Sequence, residues 1–149
     1  MYKKILVPLD GSKRAEVILQ HVELIAKNFQ STVIFMQVIE LMPIMAPPGQ
    51  PDMTFYQVEF DQRKQNAEDY LRSVQTDFLD KGIDTKFAII EGASVASIIE
   101  IATQEDVDLI AMASHGRSGL AQVFYGSVAA GLLQRIDRPL LLIRAKRDG

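Results

Sequence analysis

The residues best suited to binding chemistry lie in a glycine-bearing segment that follows an apolar run. The segment begins at Ser114-His115-Gly116 and reaches Gly126-Ser127 after nine further residues. Glycine lets the backbone approach a ligand closely, and the free N–H groups at the start of a following helix attract phosphate. The segment is neither a Walker P-loop nor a GxGxxG motif. Its residue types alone therefore fit phosphate binding and a plain chain turn about equally well.

Asp10 is the second candidate, because it follows the first apolar run directly. A carboxylate after a strand can accept hydrogen bonds from the donor groups of a ligand. The alternative is a purely structural role, in which Asp10-Gly11-Ser12 turns the chain ahead of a helix.

Composition narrows the other kinds of chemistry. The chain has no Cys and two His, so thiolate metal sites, disulfides and Cys nucleophiles are excluded. Ser114 and His115 are adjacent, whereas catalytic triads assemble from separated segments. A net charge of -3 argues against nucleic-acid binding, and the N-terminal apolar run is too short for a signal peptide or membrane span.

The elements that must position these residues alternate between short apolar runs and stretches of helical period. This pattern predicts one α/β domain over residues 1–149, with parallel strands joined by helices. Ser12, Ser94 and Ser127 are predicted helix caps, and Gly82 is a predicted C-terminal cap. The predicted strands are residues 4–9, 32–39, 85–90, 108–113 and 140–144.

Residues 40–54 hold four of the six prolines together with three methionines, and they are predicted to form a long loop. Flexible Met side chains adapt to varied surfaces, so this loop is interpreted as a cover for the ligand, as a contact for a partner or as a surface excursion.

Doubly wound sheets bind ligands at the carboxyl ends of the strands, where the strand order reverses. If the first strand lies beside the fourth at that reversal, Asp10 faces the loop that starts at Ser114.

Together these features resemble the universal stress protein family. The spacing from Ser114-His115-Gly116 to Gly126-Ser127 is similar to the family's nucleotide-binding signature, G-x-x-G-x9-G-[ST]. The resemblance extends from residues 5–12 through residues 106–110 to Arg138-Pro139, thus over nearly the whole chain. It implies a five-stranded parallel sheet ordered 3-2-1-4-5 with helices on both faces, as in adenine nucleotide α-hydrolase-like folds.

The resemblance also implies ATP as the ligand, and any Mg²⁺ is expected to arrive bound to its phosphates. Asp10 would meet the ribose or adenine, with Pro8, Leu9 and Val38 forming the base pocket, since a carboxylate accepts hydrogen bonds from two ribose hydroxyls and apolar walls suit the face of a purine. Gly116, Gly126, Ser127 and the backbone of Val128 would hold the phosphates. No base for ATP hydrolysis is evident, so we predict at most slow turnover. His115 and Arg117 are candidates for further phosphate contacts, although both also suit a surface loop. The residues expected at the site are Pro8, Leu9, Asp10, Val38, Ala113, His115, Gly116, Arg117, Gly126, Ser127 and Val128.

Ala113 stands where the signature has its first glycine. A positive φ or a phosphate contact at this position would make the added methyl cost about 1 kcal/mol, whereas a negative φ makes the change mild. Because Ala113 ends a predicted strand, we expect weakened or unaltered ATP binding rather than its loss.

The sequence thus predicts a cytoplasmic stress-response protein that binds ATP and uses occupancy to change shape or partners. The alternatives are a dimeric interaction protein of the same fold that binds no nucleotide and, less favoured, a weak ATP hydrolase. An apolar strand at a sheet edge invites pairing with another chain. We therefore expect a homodimer through Leu140, Leu141, Leu142 and Ile143.

Overall fold

The computed structural model describes residues 1–40, 53–114 and 126–145, with side chains from residue 56 in the second range. The strands are β1 (Lys4–Pro8), β2 (Thr32–Ile39), β3 (Thr85–Glu91), β4 (Leu109–Ser114) and β5 (Leu140–Arg144). The helices are α1 (Leu19–Phe29), which follows a 3₁₀ turn at Ala15–Ile18, then α2 (Met53–Asp80), α3 (Ser94–Gln104) and α4 (Ser127–Arg135). None of the described helices is both long and apolar enough to cross a bilayer.

All five strands join one parallel sheet in the order β3-β2-β1-β4-β5. The order implied by the family resemblance is confirmed. β1 lies at the centre of the sheet. It pairs with β2, which follows it through α1, on one side and with β4 on the other side. The strand order therefore reverses between β1 and β4, and a ligand crevice is expected there.

The pairing between β1 and β4 is short. It covers only the pairs Ile5↔Leu109 and Leu6↔Ile110, although β1 continues to Pro8 beside β2 and β4 continues to Ser114 beside β5. The two central strands thus stop pairing well before their carboxyl ends. The gap between those ends is the start of the crevice.

Two hydrophobic cores cover the two faces of the sheet, as strands of a buried parallel sheet require. On one face, the 3₁₀ turn, α1 and α2 bury Ile18, Val22 and Phe78 against alternate residues of β1 and β2. On the other face, α3 and α4 bury Ile98 and Leu132 against the remaining alternate residues. The α3/α4 face carries the helix starts that flank the crevice.

Three details of the sequence prediction are corrected. The loop predicted over residues 40–54 is too long, since α2 already begins at Met53. The last proline of that segment is Pro51, and proline is tolerated next to the start of a helix. The predicted caps Ser94 and Ser127 are instead the first helical residues, after Ala93 and Gly126. Residues 41–52 of the predicted loop lie outside the described residues.

Gly131 sets the distance between α3 and α4. A Cβ atom at this position would lie 2.7 Å from Cγ2 of Val95 on α3, closer than carbon atoms can approach. The two helices therefore pack with the backbone of one against a side chain of the other. Glycine is the residue that permits this contact.

We predict that Gly131→Ala destabilises the protein by about 1–3 kcal/mol through overpacking, although alanine ordinarily stabilises a helix relative to glycine. In the Val95→Ala background the same substitution should instead stabilise by up to about 1 kcal/mol, because the clash is gone. Urea unfolding of the two single variants and the double variant measures this. A Gly131→Ala protein that is more stable than wild type would contradict the packing argument.

Candidate functional site

A pocket opens at the carboxyl ends of β1, β2 and β4, where β1 and β4 stop pairing. Its volume of about 90 Å³ is several times the ~10–15 Å³ that one water needs, so it has room for a larger group. Most of its wall is apolar. The lining residues are Pro8, Leu9, Asp10, Ala15, Val38, Ser94, Ile98, Met112, Ala113 and Val128.

Many residues predicted from the sequence meet in this pocket, although they come from three strands and a helix. The predicted residues in the wall are Pro8, Leu9, Asp10, Val38, Ala113 and Val128. Gly126 and Ser127 immediately precede Val128 at the start of α4. His115, Gly116 and Arg117 lie outside the described residues, so their predicted contacts stay predictions.

Four lining residues are absent from the sequence prediction: Ala15, Ser94, Ile98 and Met112. Ser94 had a usable signal, because it follows β3 in a turn that must lie at the same edge of the sheet as Asp10. Ile98 lies one helical turn further along α3, on the same face. Met112 and Ala15 look like ordinary core residues in the sequence and carried no comparable signal.

Asp10 takes part in the chain turn Asp10-Gly11-Ser12, which is the structural role that the sequence predicts as its alternative. Its Oδ1 atom accepts hydrogen bonds from the backbone N–H of Ser12 at 2.9 Å and from the Ser12 hydroxyl. The Ser12 Oγ atom in turn accepts from the N–H of Ala15, the first residue of the 3₁₀ turn, at 3.2 Å, but the residue that directly precedes this turn is Arg14, so the predicted helix cap at Ser12 is corrected. These bonds fix the carboxylate at the wall of the pocket.

Tyr70 on α2 lies behind this turn. Burial raises the pKa of its hydroxyl above the ordinary value, and the nearby carboxylates of Glu16 and Asp10 act in the same direction. Tyr70 therefore stays protonated at neutral pH and adds no negative charge beside Asp10.

Two helix N-termini flank the pocket and differ in what occupies them. At α3, the Oε1 atom of Glu40 accepts from the backbone N–H of Ser94 at 2.9 Å and from its hydroxyl at 2.8 Å. These bonds lower the pKa of Glu40, and the neighbouring charge of Arg63 adds to the effect. A carboxylate of the chain itself thus fills the α3 terminus and complements its dipole.

The α4 terminus is arranged differently. Gly126 adopts φ 78° and ψ 152°, a conformation open almost only to glycine, and no side chain of the described residues caps it. The first helical hydrogen bond runs from Ala130 N–H to the Gly126 carbonyl at 3.0 Å. The N–H groups of residues 127–129 therefore have no acceptor within the helix.

Ala113 lies within β4 opposite Ile143 and is not among the residues with positive φ. The negative φ expected from its position at a strand end is confirmed. Its methyl group therefore causes no backbone strain. It is 9% exposed and forms part of the pocket wall.

The fold and the pocket define a class: a doubly wound α/β protein with a concave, mainly apolar crevice where its strand order reverses. The chain belongs to the universal stress protein family, which it matches over residues 1–144. It is similar to the universal stress protein MJ0577 of Methanocaldococcus jannaschii, with 30% identity over 159 residues that cover 99% of this chain and 98% of the relative.

Solved structures share the fold. The structure of MJ0577 superposes with a TM-score of 0.86 at 30% identity, covering 99% of each chain. The universal stress protein UspA from Lactobacillus plantarum superposes with a TM-score of 0.80 at 23% identity, covering 96% of this chain and 98% of the other. A universal stress protein in complex with cAMP has a TM-score of 0.62 at 21% identity, with 97% and 98% covered.

We predict that the contribution of Glu40 to stability depends on pH. Its folded pKa is lowered from the ordinary value of 4.5, so the stabilisation is present above that value and is lost as the pH falls through the lower folded pKa. The pair is largely exposed, so Glu40→Gln should cost less than about 1 kcal/mol at neutral pH. Urea unfolding of both proteins over a pH series measures this. A difference that does not shrink towards acid pH would contradict the assignment.

Proposed function

We propose that this chain binds an adenine nucleotide, ATP foremost, in the pocket between β1 and β4. In this proposal it acts as a nucleotide-dependent regulatory or interaction module in the cytoplasm during stress. The observation that carries the proposal is the meeting of Pro8, Leu9, Asp10, Val38 and Val128 in one pocket. These are positions to which the resemblance to the family assigns the nucleotide.

The base and ribose belong at the β1/β2 end of the pocket. Pro8, Leu9 and Val38 offer apolar surface for the face of a purine, and Asp10 lies beside them with its carboxylate fixed by Ser12. A carboxylate in this place accepts hydrogen bonds from ribose hydroxyls. One family member was solved in complex with cAMP, which is itself an adenine nucleotide.

The phosphates belong at the start of α4. The positive φ of Gly126 presents the N–H groups that begin the helix, and such groups bind anions together with the helix dipole. The α3 terminus repels phosphate because the carboxylate of Glu40 already occupies it. Electrostatics therefore supports one orientation of the ligand, with its base near β2 and its phosphates near α4.

The proposed activity is binding rather than turnover. Asp10 is engaged by Ser12 in a turn, and Glu40 is engaged by Ser94, so neither carboxylate is placed as a general base. Any Mg²⁺ would enter bound to the phosphates. The chemistry of the site supports a sensor whose occupancy changes its surface.

Mass spectrometry of the gently denatured purified protein tests the proposal directly. Released ATP, ADP or AMP is the expected result. Isothermal titration of stripped protein with ATP gives the affinity. A protein that carries no nucleotide and takes up none would favour the interaction protein that binds no nucleotide.

We predict that Gly126→Ala weakens ATP binding at least about tenfold, because alanine disfavours the positive φ that presents the N–H groups at the start of α4. One lost hydrogen bond to a charged phosphate is worth about 1.5–3 kcal/mol. The matched control is Gly82→Ala. Gly82 has φ 79°, close to the 78° of Gly126, and open space around it, but it lies at the opposite end of the sheet after α2. Both variants should lose about 1–3 kcal/mol of stability from backbone strain. Equal ATP affinities of the two variants would remove Gly126 from the site.

We further propose a homodimer through β5. This strand is at the edge of the sheet, and its residues Leu140, Leu141, Leu142 and Ile143 are only half-buried in the single chain. An apolar edge strand with unpaired backbone groups is a template for a second copy.

We predict that Leu141→Lys dissociates this dimer, because a lysine on the edge strand opposes edge-to-edge pairing. Leu133→Lys on α4 places the same change at another exposed leucine, 53% accessible, and should leave the dimer intact. Light scattering at high protein concentration measures the mass, and circular dichroism checks the fold. A wild-type protein that is strictly monomeric would contradict the proposal.

A further inference from the structure

Ser94 gives the pocket a polar group of defined hydrogen-bonding sense. Its hydroxyl donates to Oε1 of Glu40 at 2.8 Å, and Glu40 also accepts from its backbone N–H at 2.9 Å. A serine hydroxyl has one proton and two acceptor lone pairs. Since the proton is held by Glu40, the oxygen of Ser94 can only accept a hydrogen bond from a ligand.

This arrangement is fixed from several sides. The guanidinium of Arg63 on α2 donates to the backbone carbonyl of Glu40 at 2.8 Å, which ties the end of β2 in place. The lowered pKa of Glu40 keeps the carboxylate ionised at neutral pH, so it remains an acceptor and cannot return a proton to Ser94. The sense of the Ser94 hydroxyl therefore follows from its neighbours.

The other residues of the pocket wall leave the Ser94 hydroxyl as the side-chain group that can select the base. Asp10 and Ser94 are the polar residues among those that line the pocket, and the carboxylate of Asp10 is placed for the ribose. Val38, at the end of β2 near Glu40, marks the end of the pocket where the base belongs. A purine in this pocket therefore meets Ser94 as its polar side-chain partner.

We propose that Ser94, with its proton held by Glu40, is a specificity-determining residue that accepts a hydrogen bond from the exocyclic amino group of adenine. A purine with a carbonyl oxygen at that position, as in guanine or hypoxanthine, would place one acceptor against another. This inference rests on the proposed nucleotide site and names the part of the ligand that the site selects.

The test compares ATP with inosine triphosphate, which replaces the amino group by a carbonyl while keeping the ribose and phosphates. Isothermal titration of the full chain at neutral pH should give at least about tenfold tighter binding of ATP, since a lost hydrogen bond and an unpaired acceptor remove about 1.4 kcal/mol.

Two variants locate the discrimination. Ser94→Ala removes the acceptor, and the ratio of the two affinities should fall to about twofold or less. Glu40→Ala removes the acceptor of the hydroxyl proton, so Ser94 becomes able to donate to a carbonyl, and the ratio should fall here as well. Glu91→Ala, at the exposed end of β3, removes the same charge and should preserve the ratio.

The outcomes separate this inference from the proposed function. If wild type binds ATP and inosine triphosphate equally, or if the preference for ATP survives in Ser94→Ala, the role of Ser94 is wrong and nucleotide binding stands. If neither nucleotide binds, both proposals fail. Thermal unfolding of each variant verifies that a changed ratio comes from a folded protein.

Discussion

The short pairing between β1 and β4 is the constraint on which the rest of this structure depends. A parallel sheet covered by helices on both faces has no opening of its own, because its strands are hydrogen-bonded side by side and its faces are buried. Here the central pairing ends at Leu6 and Ile110 while each strand continues beside its other neighbour. The resulting gap separates two carboxyl ends that carry Asp10 and Ala113, and the pocket lies between them.

The electrostatics of the crevice follows from the way its two helix starts are satisfied. Both α3 and α4 begin at the same edge of the sheet, so both direct the positive ends of their dipoles towards the crevice. Glu40 neutralises the first through Ser94, whereas Gly126 leaves the second without a side-chain cap from the described residues. This asymmetry distinguishes a mainly apolar end, where the carboxylates of Asp10 and Glu40 disfavour phosphate, from an end whose helix dipole no side chain of the described residues neutralises.

The two ends are mechanically joined by the packing of α3 on α4. Gly131 lets the helices approach so closely that a single added carbon would collide with Val95. Packed interiors transmit displacements because they have little free space. A group bound at the start of α4 would therefore bear on the helix that carries Ser94. α3, which carries Ser94, is thus packed directly against α4, and β5 pairs with β4 in the sheet.

The sequence by itself determined the elements, because alternation of apolar runs and helical periods is a local signal. β2 and β5 have the predicted bounds, β1 and β3 differ by one residue at one end, β4 is shifted by one residue at both ends, and the order of the sheet came from the resemblance to the family. Asp10, Val38 and Val128 were assigned to one site on the same basis, and they line one pocket. Only the tertiary structure shows that Glu40 engages Ser94. These residues are 54 positions apart, and no local pattern predicts that a carboxylate after β2 will cap a helix after β3. Residues that follow different strands meet only when the sheet brings the strand ends together. The fold therefore decided that the Ser94 hydroxyl donates to Glu40 and accepts from the pocket side.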